Sequence, residues 1–270
     1  MSSSATIRQS KPETCSESQR MTNSNPLEAD LSSELAHAVE RVYAAFASYP
    51  SPRHLHGSPY KDLESIFRGV SSGPLRELSG ENLGAYAGSA IWTVGDVDDY
   101  RHFLPRVLEL ATQGEPWIGF DANVIAAKLE RTSWRDWPLE EQQAVEALFQ
   151  VAWRKAMTLH PDEGNAVSWL EGMVLAGMDV AAALAAWRES PYPEAMLHCA
   201  DLITGNIKTL DNGHVIFSEQ VTTWLLSESL ARHLFTVAVE APLRSDDREK
   251  LAWANETIEN NLNFPGNQRH

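Results

Sequence analysis

The stretch NPLEADLSSELAHAVERVYAAFASYP, residues 25–50, carries the clearest helix signal in the chain. Asn25 and Pro26 suit the N-cap and the first helical position, and Pro50 ends the pattern. Between them, apolar side chains recur at steps of three and four residues, so the stretch predicts an amphipathic helix with one apolar stripe. These side chains belong to Leu31, Leu35, Val39, Val42, Phe46 and Tyr49.

Similar patterns continue along the chain. Each is preceded by Asp, Ser or Pro and followed by Gly, Pro or polar residues. Strand signals are almost absent, although NGHVIFSEQ at 212–220 would suit a turn or a tiny strand. The sequence predicts an all-α fold of about ten helices, as a compact helical bundle or a short α-solenoid-like stack of helix pairs. After the first helix they are expected around 61–70, from Ser79 to 91, from Asp96 onward, and at 121–132 (capped by Asp121), 138–159, 163–176, 179–189, 193–208, 217–239 and 245–260.

The two ends of the chain differ in composition from its middle. Residues 1–25 are polar and Ser-rich, and both they and residues 263–270 are expected to be disordered tails. Residues 26–262 are expected to form a single helical domain, with a sub-boundary near 160–165 as the alternative. No run approaches the roughly 20 apolar residues of a membrane span, and the N-terminus lacks the apolar core of a secretory signal. These features favour a cytoplasmic protein without membrane contact.

The chain is acidic, with a net charge of −15. The first 26 residues contain Arg8, Lys11 and Arg20 against Glu13 and Glu17, a balance of +1, so the remainder carries −16. Such a body repels nucleic-acid phosphates and anionic membranes, and nucleic acid is therefore not expected as a partner. A basic protein partner would suit this charge, while solubility alone is the alternative explanation.

The stretch WTVGDVDDYRHFLPR, residues 92–106, concentrates three aspartates, a histidine, two arginines and a tryptophan. Gly95 breaks the helix before it, and Asp96 then stands where an N-cap would stand. Asp98 and Asp99 fall in the first turn, where carboxylates stabilise a helix through its backbone N–H groups and its dipole. The acids are therefore expected to start a helix. Pro105 lacks the N–H that would bond to residue 101, so this helix is expected to kink or restart there.

The same helix would place three polar side chains on one face. Asp98, His102 and Arg106 are four residues apart in turn, and residues at that spacing are neighbours on a helix. Such a face could hold an oriented imidazole or an ion-pair network at a partner surface. Capping with ion pairs, a binding surface, and a catalytic or metal site all stay open. The candidate binding residues are Trp92, Asp96, Asp98, Asp99, His102 and Arg106.

A second candidate is RHLHGSPY, residues 53–60, in a loop rich in Pro and Gly. His54 and His56 could begin a zinc or iron site, but such a site needs a further ligand. The only cysteines are Cys15, in the polar tail, and Cys199, expected to be an inert core thiol, which excludes a disulfide framework and a Cys-based zinc site. No Gly-x-Ser-x-Gly, P-loop, dinucleotide or His-Glu-x-x-His motif occurs. No metal and no cofactor are expected.

The tryptophans carry a different signal, because several fall at or inside predicted helices beside an arginine. Most are expected to anchor the core, since a tryptophan buries its ring while its indole N–H finds an acceptor. An exposed one would mark a protein-binding patch, because Trp and Arg are enriched at interface hot spots. The expected anchors are Trp134, Trp137, Trp153, Trp169 and Trp187.

Three blocks, VYAAFASYPSPRHLHGSP, LRELSGENLGAYAGSAIWTVGDVDDYRHFLPRVLEL and AKLERTSWRDWPLEEQQAVEALFQVAWR, resemble a family of uncharacterised bacterial proteins. In that family a Tyr-Pro-Arg loop precedes a Thr-Trp-Gly-Asp-Val-Asp-Asp segment that runs into His-Phe-Leu-Pro-Arg. The match covers roughly residues 40–155. The resemblance implies a bacterial source and a cytosolic location, and it carries no activity. This chain departs from the pattern at Ser58 and Tyr60, where the family has cysteines, and in the order Trp92-Thr93-Val94-Gly95-Asp96.

The leading hypothesis is an acidic helical protein-binding module without catalytic activity, in particular an inhibitor or immunity protein that neutralises a basic, toxin-like partner. The alternative is a bacterial enzyme of unrecognised type, with Asp96, Asp98, Asp99 and His102 lining a pocket. A third hypothesis is a module that mimics nucleic-acid charge, which requires carboxylates on one face. Side chains that converge on a cavity would favour the enzyme. Carboxylates turned back to their own backbone would favour the helix cap.

Overall fold

The computed structural model describes residues 26–206 and 219–263, and within these ranges the protein forms twelve α-helices and no strand. The predicted all-α fold is confirmed, and it is compact. Short 3₁₀ turns at 75–77, 118–120 and 134–136 join some of the helices. The helices are α1 (Pro26–Ala45), α2 (Leu63–Val70), α3 (Gly80–Ser89), α4 (Val97–Thr112), α5 (Ala122–Arg131), α6 (Leu139–Ala156), α7 (Ala166–Leu175), α8 (Ala181–Arg188), α9 (Pro193–Asn206), α10 (Glu219–Leu225), α11 (Glu228–Glu240) and α12 (Ser245–Asn263).

Three details of the helices differ from the sequence prediction. The single helix expected over 217–239 is two helices, because the Ser227 side chain accepts the backbone N–H of Leu230 and starts α11 as an N-cap. The first helix ends at Ala45, and a turn leads on to Pro50. Helix α4 continues through Pro105, so the expected restart does not occur. Residues 1–25 and 264–270, and NGHVIFSEQ apart from its last two residues, lie outside the described part.

One hydrophobic cluster runs from Ala38 to Ile258 and joins the helices. Within it α1 packs on α6, α5 packs on α7, and α12 packs on α11 and α9. All five tryptophans expected as anchors are buried in this cluster. The indole N–H of Trp187 donates to Ala195 O at 2.7 Å, and that of Trp134 donates to a Glu130 carboxylate oxygen at 3.1 Å. The core therefore depends on large aromatic side chains, two of which have identified acceptors.

The connection between α3 and α4 positions the candidate residues. It turns sharply over residues 90–95, where Ile91 has φ +68° and Gly95 has φ +72°. A β-branched residue in the left-handed region is strained, so tertiary contacts must hold Ile91 in this conformation. Among the described helices, none combines the length and apolar character needed to cross a membrane.

Candidate functional site

Asp96 is the N-cap of α4, as the sequence predicts, and the structure adds a capping box between Asp96 and Asp99. Asp96 Oδ1 accepts the backbone N–H groups of Asp98 at 3.0 Å and Asp99 at 2.9 Å. The Asp99 carboxylate in turn accepts the backbone N–H of Asp96 at 3.1 Å. Burial raises the pKa of Asp99, although this backbone bond and the nearby His56 and His54 act in the opposite direction. Two of the three aspartates thus serve the helix N-terminus.

The face expected from Asp98, His102 and Arg106 does not form one site. The Asp98 carboxylate is exposed and lies 3.8 Å from the guanidinium of Arg101. His102 donates from Nδ1 to Tyr49 O at 2.9 Å, because a carbonyl oxygen can only accept. Arg106 donates to Leu78 O at 2.8 Å and pairs with Glu109 at 2.6 Å. Each of the three has its own partner: Asp98 pairs within α4, whereas His102 and Arg106 bond to two different segments that pack on α4.

An unexpected cluster surrounds Arg101, one helical turn into α4. Its guanidinium carbon lies 4.4 Å from the Trp137 ring centroid and 5.2 Å from that of Tyr49. Tyr49 donates its hydroxyl proton to the Glu141 carboxylate at 2.8 Å, and burial raises the pKa of Glu141. The arrangement ties the turn after α1 to α4 and to the first turn of α6. Sequence spacing gave no indication of it, because Glu141 is separated from Arg101 by a whole helix and two turns.

A groove of about 420 Å³ lies between α1 and α4. His102 lines it, together with Ala47, Leu75, Arg76 and other residues. Since Nδ1 of His102 carries a proton for Tyr49 O, Nε2 of the neutral imidazole is an acceptor. The bond to Tyr49 O holds the His102 ring in one orientation, while the aspartates of the same stretch do not line this groove.

The structure brings the two candidate stretches of the sequence together. Gly95 donates its backbone N–H to His56 O at 2.7 Å, and Ser58 donates to Thr93 O at 2.8 Å. Gly57 lies between His56 and Ser58, which make these two bonds. A side chain does not fit at this position, since a Cβ there would lie 2.3 Å from Thr93 O. We call the residues 54–62 and 91–98 the two-loop surface.

Aromatic side chains are unusually exposed on the two-loop surface. Tyr60 is 96% exposed and Trp92 is 52% exposed, and Val97 is also exposed. Two carboxylates belong to the same surface. Asp62 caps α2 by accepting the backbone N–H of Ser65, and Asp96 caps α4. The capping bonds hold these two negative charges in place at the surface. The motif RHLHGSPY contains Tyr60, but nothing in the sequence indicates that its side chain is exposed.

The two histidines of this surface contact each other. Nε2 of His54 lies 2.6 Å from Nε2 of His56, so one ring donates and the other accepts. Their imidazoles meet edge to face at 4.4 Å between centroids. No group of three His, Cys, Asp or Glu in the described ranges is arranged to hold a metal ion.

A buried lysine supports Trp92 from the protein interior. Lys128, on α5, is 1% exposed and donates from Nζ to Ala87 O at 2.6 Å. Burial lowers its pKa to about 8. Sequence reasoning missed this residue, although a signal exists: Lys128 lies three residues after Ile125, on the apolar side of α5.

No family model matches the chain, and no curated protein or solved structure is detectably similar to it.

Proposed function

We propose that this protein is a non-catalytic protein-binding module that engages a basic partner through the two-loop surface. An inhibitor or immunity protein that neutralises a basic, toxin-like bacterial protein is the specific case that we favour. The observation that carries the proposal is the exposure of Tyr60 and Trp92 on two hydrogen-bonded loops whose carboxylates are fixed by helix capping.

The aromatic side chains supply the affinity in this proposal. Tyr and Trp bring a large, rigid apolar area at a low cost in conformational entropy, and they dominate interface hot spots. Backbone hydrogen bonds fix both loops before a partner arrives. Pre-formed loops lose little entropy on binding, which favours tight association.

In this proposal the carboxylates make the surface selective for a basic partner. Asp62, Asp96 and Asp98 are all exposed at this surface, and the body of the protein carries −16. A basic partner is therefore attracted over a distance and an acidic one is repelled. Because the oxygens of Asp96 and Asp99 already accept backbone N–H groups, these aspartates support a fixed negative charge better than a role in proton transfer.

Co-purification from the organism that encodes the chain tests the proposal. We expect a basic protein to remain bound to the tagged full-length chain at physiological salt. Isothermal titration with that protein then compares the wild type with the double variant Tyr60→Ala/Trp92→Ala and with Trp253→Ala. Trp253 is a matched control, because it is 60% exposed on α12, outside the two-loop surface.

The double variant is expected to lose at least about 2 kcal/mol of binding free energy, and Trp253→Ala less than about 0.5 kcal/mol. The proposal is wrong if only a monomer without partners is recovered, or if the control loses as much affinity as the double variant.

A further inference from the structure

A cavity of about 630 Å³ lies where α4 and α6 end and where α5 and α7 begin, with α9 along another side. A volume of this size suits a small organic ligand. Apolar surface on its walls comes from residues that include Phe120, Leu159 and Trp169. The cavity shares no residue with the two-loop surface, so a ligand site here is independent of the proposed function.

Carboxylates outnumber cations among the lining residues. Five carboxylates line the cavity, against the single ammonium of Lys155. Two of the five are paired with cations that do not line the cavity. Asp201 lies 2.7 Å from Lys250 Nζ, and Asp162 lies 3.9 Å from Arg244. The five are Glu115, Asp121, Asp162, Glu163 and Asp201.

Asp121 has no cation of its own within the described residues. It occupies the N-cap position of α5, yet its side chain accepts no backbone N–H there, contrary to the sequence prediction of a side-chain cap. Asp121 as a whole is exposed, but partial burial of its carboxyl group raises the pKa, with no charged neighbour to offset the effect. A cation bound beside Asp121 would remove that penalty.

The helix ends around the cavity do not reverse this preference. The N-termini of α5 and α7 bring partial positive charge, while the C-termini of α4 and α6 bring partial negative charge. These contributions are of similar size and opposite sign. The full charges of the side chains therefore decide which ligand the cavity prefers.

Two buried polar side chains on the walls retain unused hydrogen-bonding capacity. His198 is 2% exposed and donates from Nε2 to Leu159 O at 3.0 Å and Ala156 O at 3.2 Å. Burial lowers the pKa of His198, so the ring is neutral and Nδ1 is an acceptor without a partner in the described part of the chain. Ser168, 7% exposed, accepts the N–H of Asn123 at 3.5 Å and donates its own proton to no described group.

We propose that this cavity binds a small organic cation, an apolar chain that carries one or more primary ammonium groups. The ammonium donates to the Asp121 carboxylate, and a second donor reaches His198 Nδ1 at the α9 side. The methylene chain lies against Phe120, Leu159 and Trp169. No lining group other than Lys155 opposes a cation by its charge.

Isothermal titration of the full-length protein with a length-matched series tests the site. The probes are 1,5-diaminopentane, pentylamine, 1,5-pentanediol and glutarate, which differ in charge while the chain length stays the same. We expect saturable binding of the diamine at one site, weaker binding of pentylamine, and no binding of the diol or of glutarate at about 10 mM.

Asp121→Asn removes one charge while an N-cap residue of equal quality stays in place. It should weaken diamine binding about tenfold, because a charge-assisted hydrogen bond becomes a neutral one. Asp30→Asn, an exposed site on α1 outside the cavity, makes the same charge change and should leave the affinity within about twofold. Ala156→Leu adds three carbon atoms to the lining and should weaken diamine binding by narrowing the cavity.

Thermal unfolding of each variant confirms that it is folded before titration. Three outcomes overturn the proposal: glutarate binds more tightly than the diamine, no amine binds at about 10 mM, or the two aspartate variants weaken binding equally. The last outcome would mean that the net charge of the protein, and no specific site, attracts the amine.

Discussion

The ammonium nitrogen of Lys128 lies over the ring of Trp92, 5.5 Å from its centroid. The same nitrogen donates to Ala87 O, whose usual helical donor is engaged elsewhere, because Ile91 donates its N–H to Val94 O. One buried lysine therefore completes the last turn of α3 and also supports the exposed indole beyond it. The hydrogen bond to Ala87 O and the cation–π contact with Trp92 thus flank the strained turn at Ile91.

The burial of Lys128 predicts a particular dependence of stability on pH. Its pKa is about 8 in the folded protein and 10.5 unperturbed, so between these values the unfolded chain binds the proton and the folded protein does not. The stability of the wild type relative to Lys128→Met should therefore rise from pH 8 to 10.5, by about 3 kcal/mol. Urea unfolding of both proteins across this pH range measures the difference between their free energies of unfolding. The tyrosines titrate alike in both proteins, so their contribution cancels in this difference. A difference that is independent of pH would contradict the assignment.

The capping box predicts unequal effects for two neighbouring aspartates. Asp96→Ala removes the acceptor of two backbone N–H groups and should lower the free energy of unfolding by about 1 kcal/mol. Asp98→Ala removes the same charge from an exposed side chain and should change it by less than about 0.5 kcal/mol. Chemical denaturation at neutral pH measures both, and equal losses would show that charge alone matters at this helix end.

Gly95 is required by the left-handed backbone conformation before α4. In Gly95→Ala the new Cβ would lie 3.1 Å from Asp99 Oδ2 and 3.2 Å from a Tyr86 ring carbon, at φ +72°. We expect a loss of about 1–3 kcal/mol in the free energy of unfolding. Gly73→Ala is the control, since no atom lies within 4 Å of a Cβ there, and it should be neutral or stabilising by up to about 1 kcal/mol. Similar losses in the two variants would refute the conformational argument.

The contact with Tyr49 O predicts one tautomer for His102. Neutral His102 should carry its proton on Nδ1, with Nε2 unprotonated toward the groove. Long-range ¹H–¹⁵N correlation spectra distinguish the tautomers, and comparison with His102→Gln assigns the signals. A proton on Nε2 would mean that the bond to Tyr49 O is absent in solution.

Local signals made most of the helices and the Asp96 cap predictable, although the side-chain cap expected from Asp121 is absent. Gly95 followed by Asp96 marks a helix start in the sequence, and Asp96 caps α4 in the structure as expected. The buried tryptophans followed from their helical positions in the same way. Ser227 shows the limit of such patterns. The apolar spacing continues across it, yet its side chain caps a new helix, so the one helix expected over 217–239 is divided in two.

Contacts between distant segments could not be predicted in this way. Asp98, His102 and Arg106 share a helix face, yet Asp98 pairs within α4 while His102 and Arg106 contact two different segments, and helical spacing says nothing about those two partners. The pairing of Gly95 with His56 joins two motifs 39 residues apart, which only tertiary structure reveals. The sequence identified two candidate stretches separately, and the fold combines them into one surface.

Site-specific photo-crosslinking tests the two-loop surface most directly. A photoreactive phenylalanine analogue replaces Tyr60 in one protein and Trp253 in another, and each is irradiated in extract of the organism that encodes the chain. The account predicts a single crosslinked partner with a basic isoelectric point from position 60, and no such partner from position 253. Equal crosslinking from both positions, or an acidic partner at position 60, would contradict it.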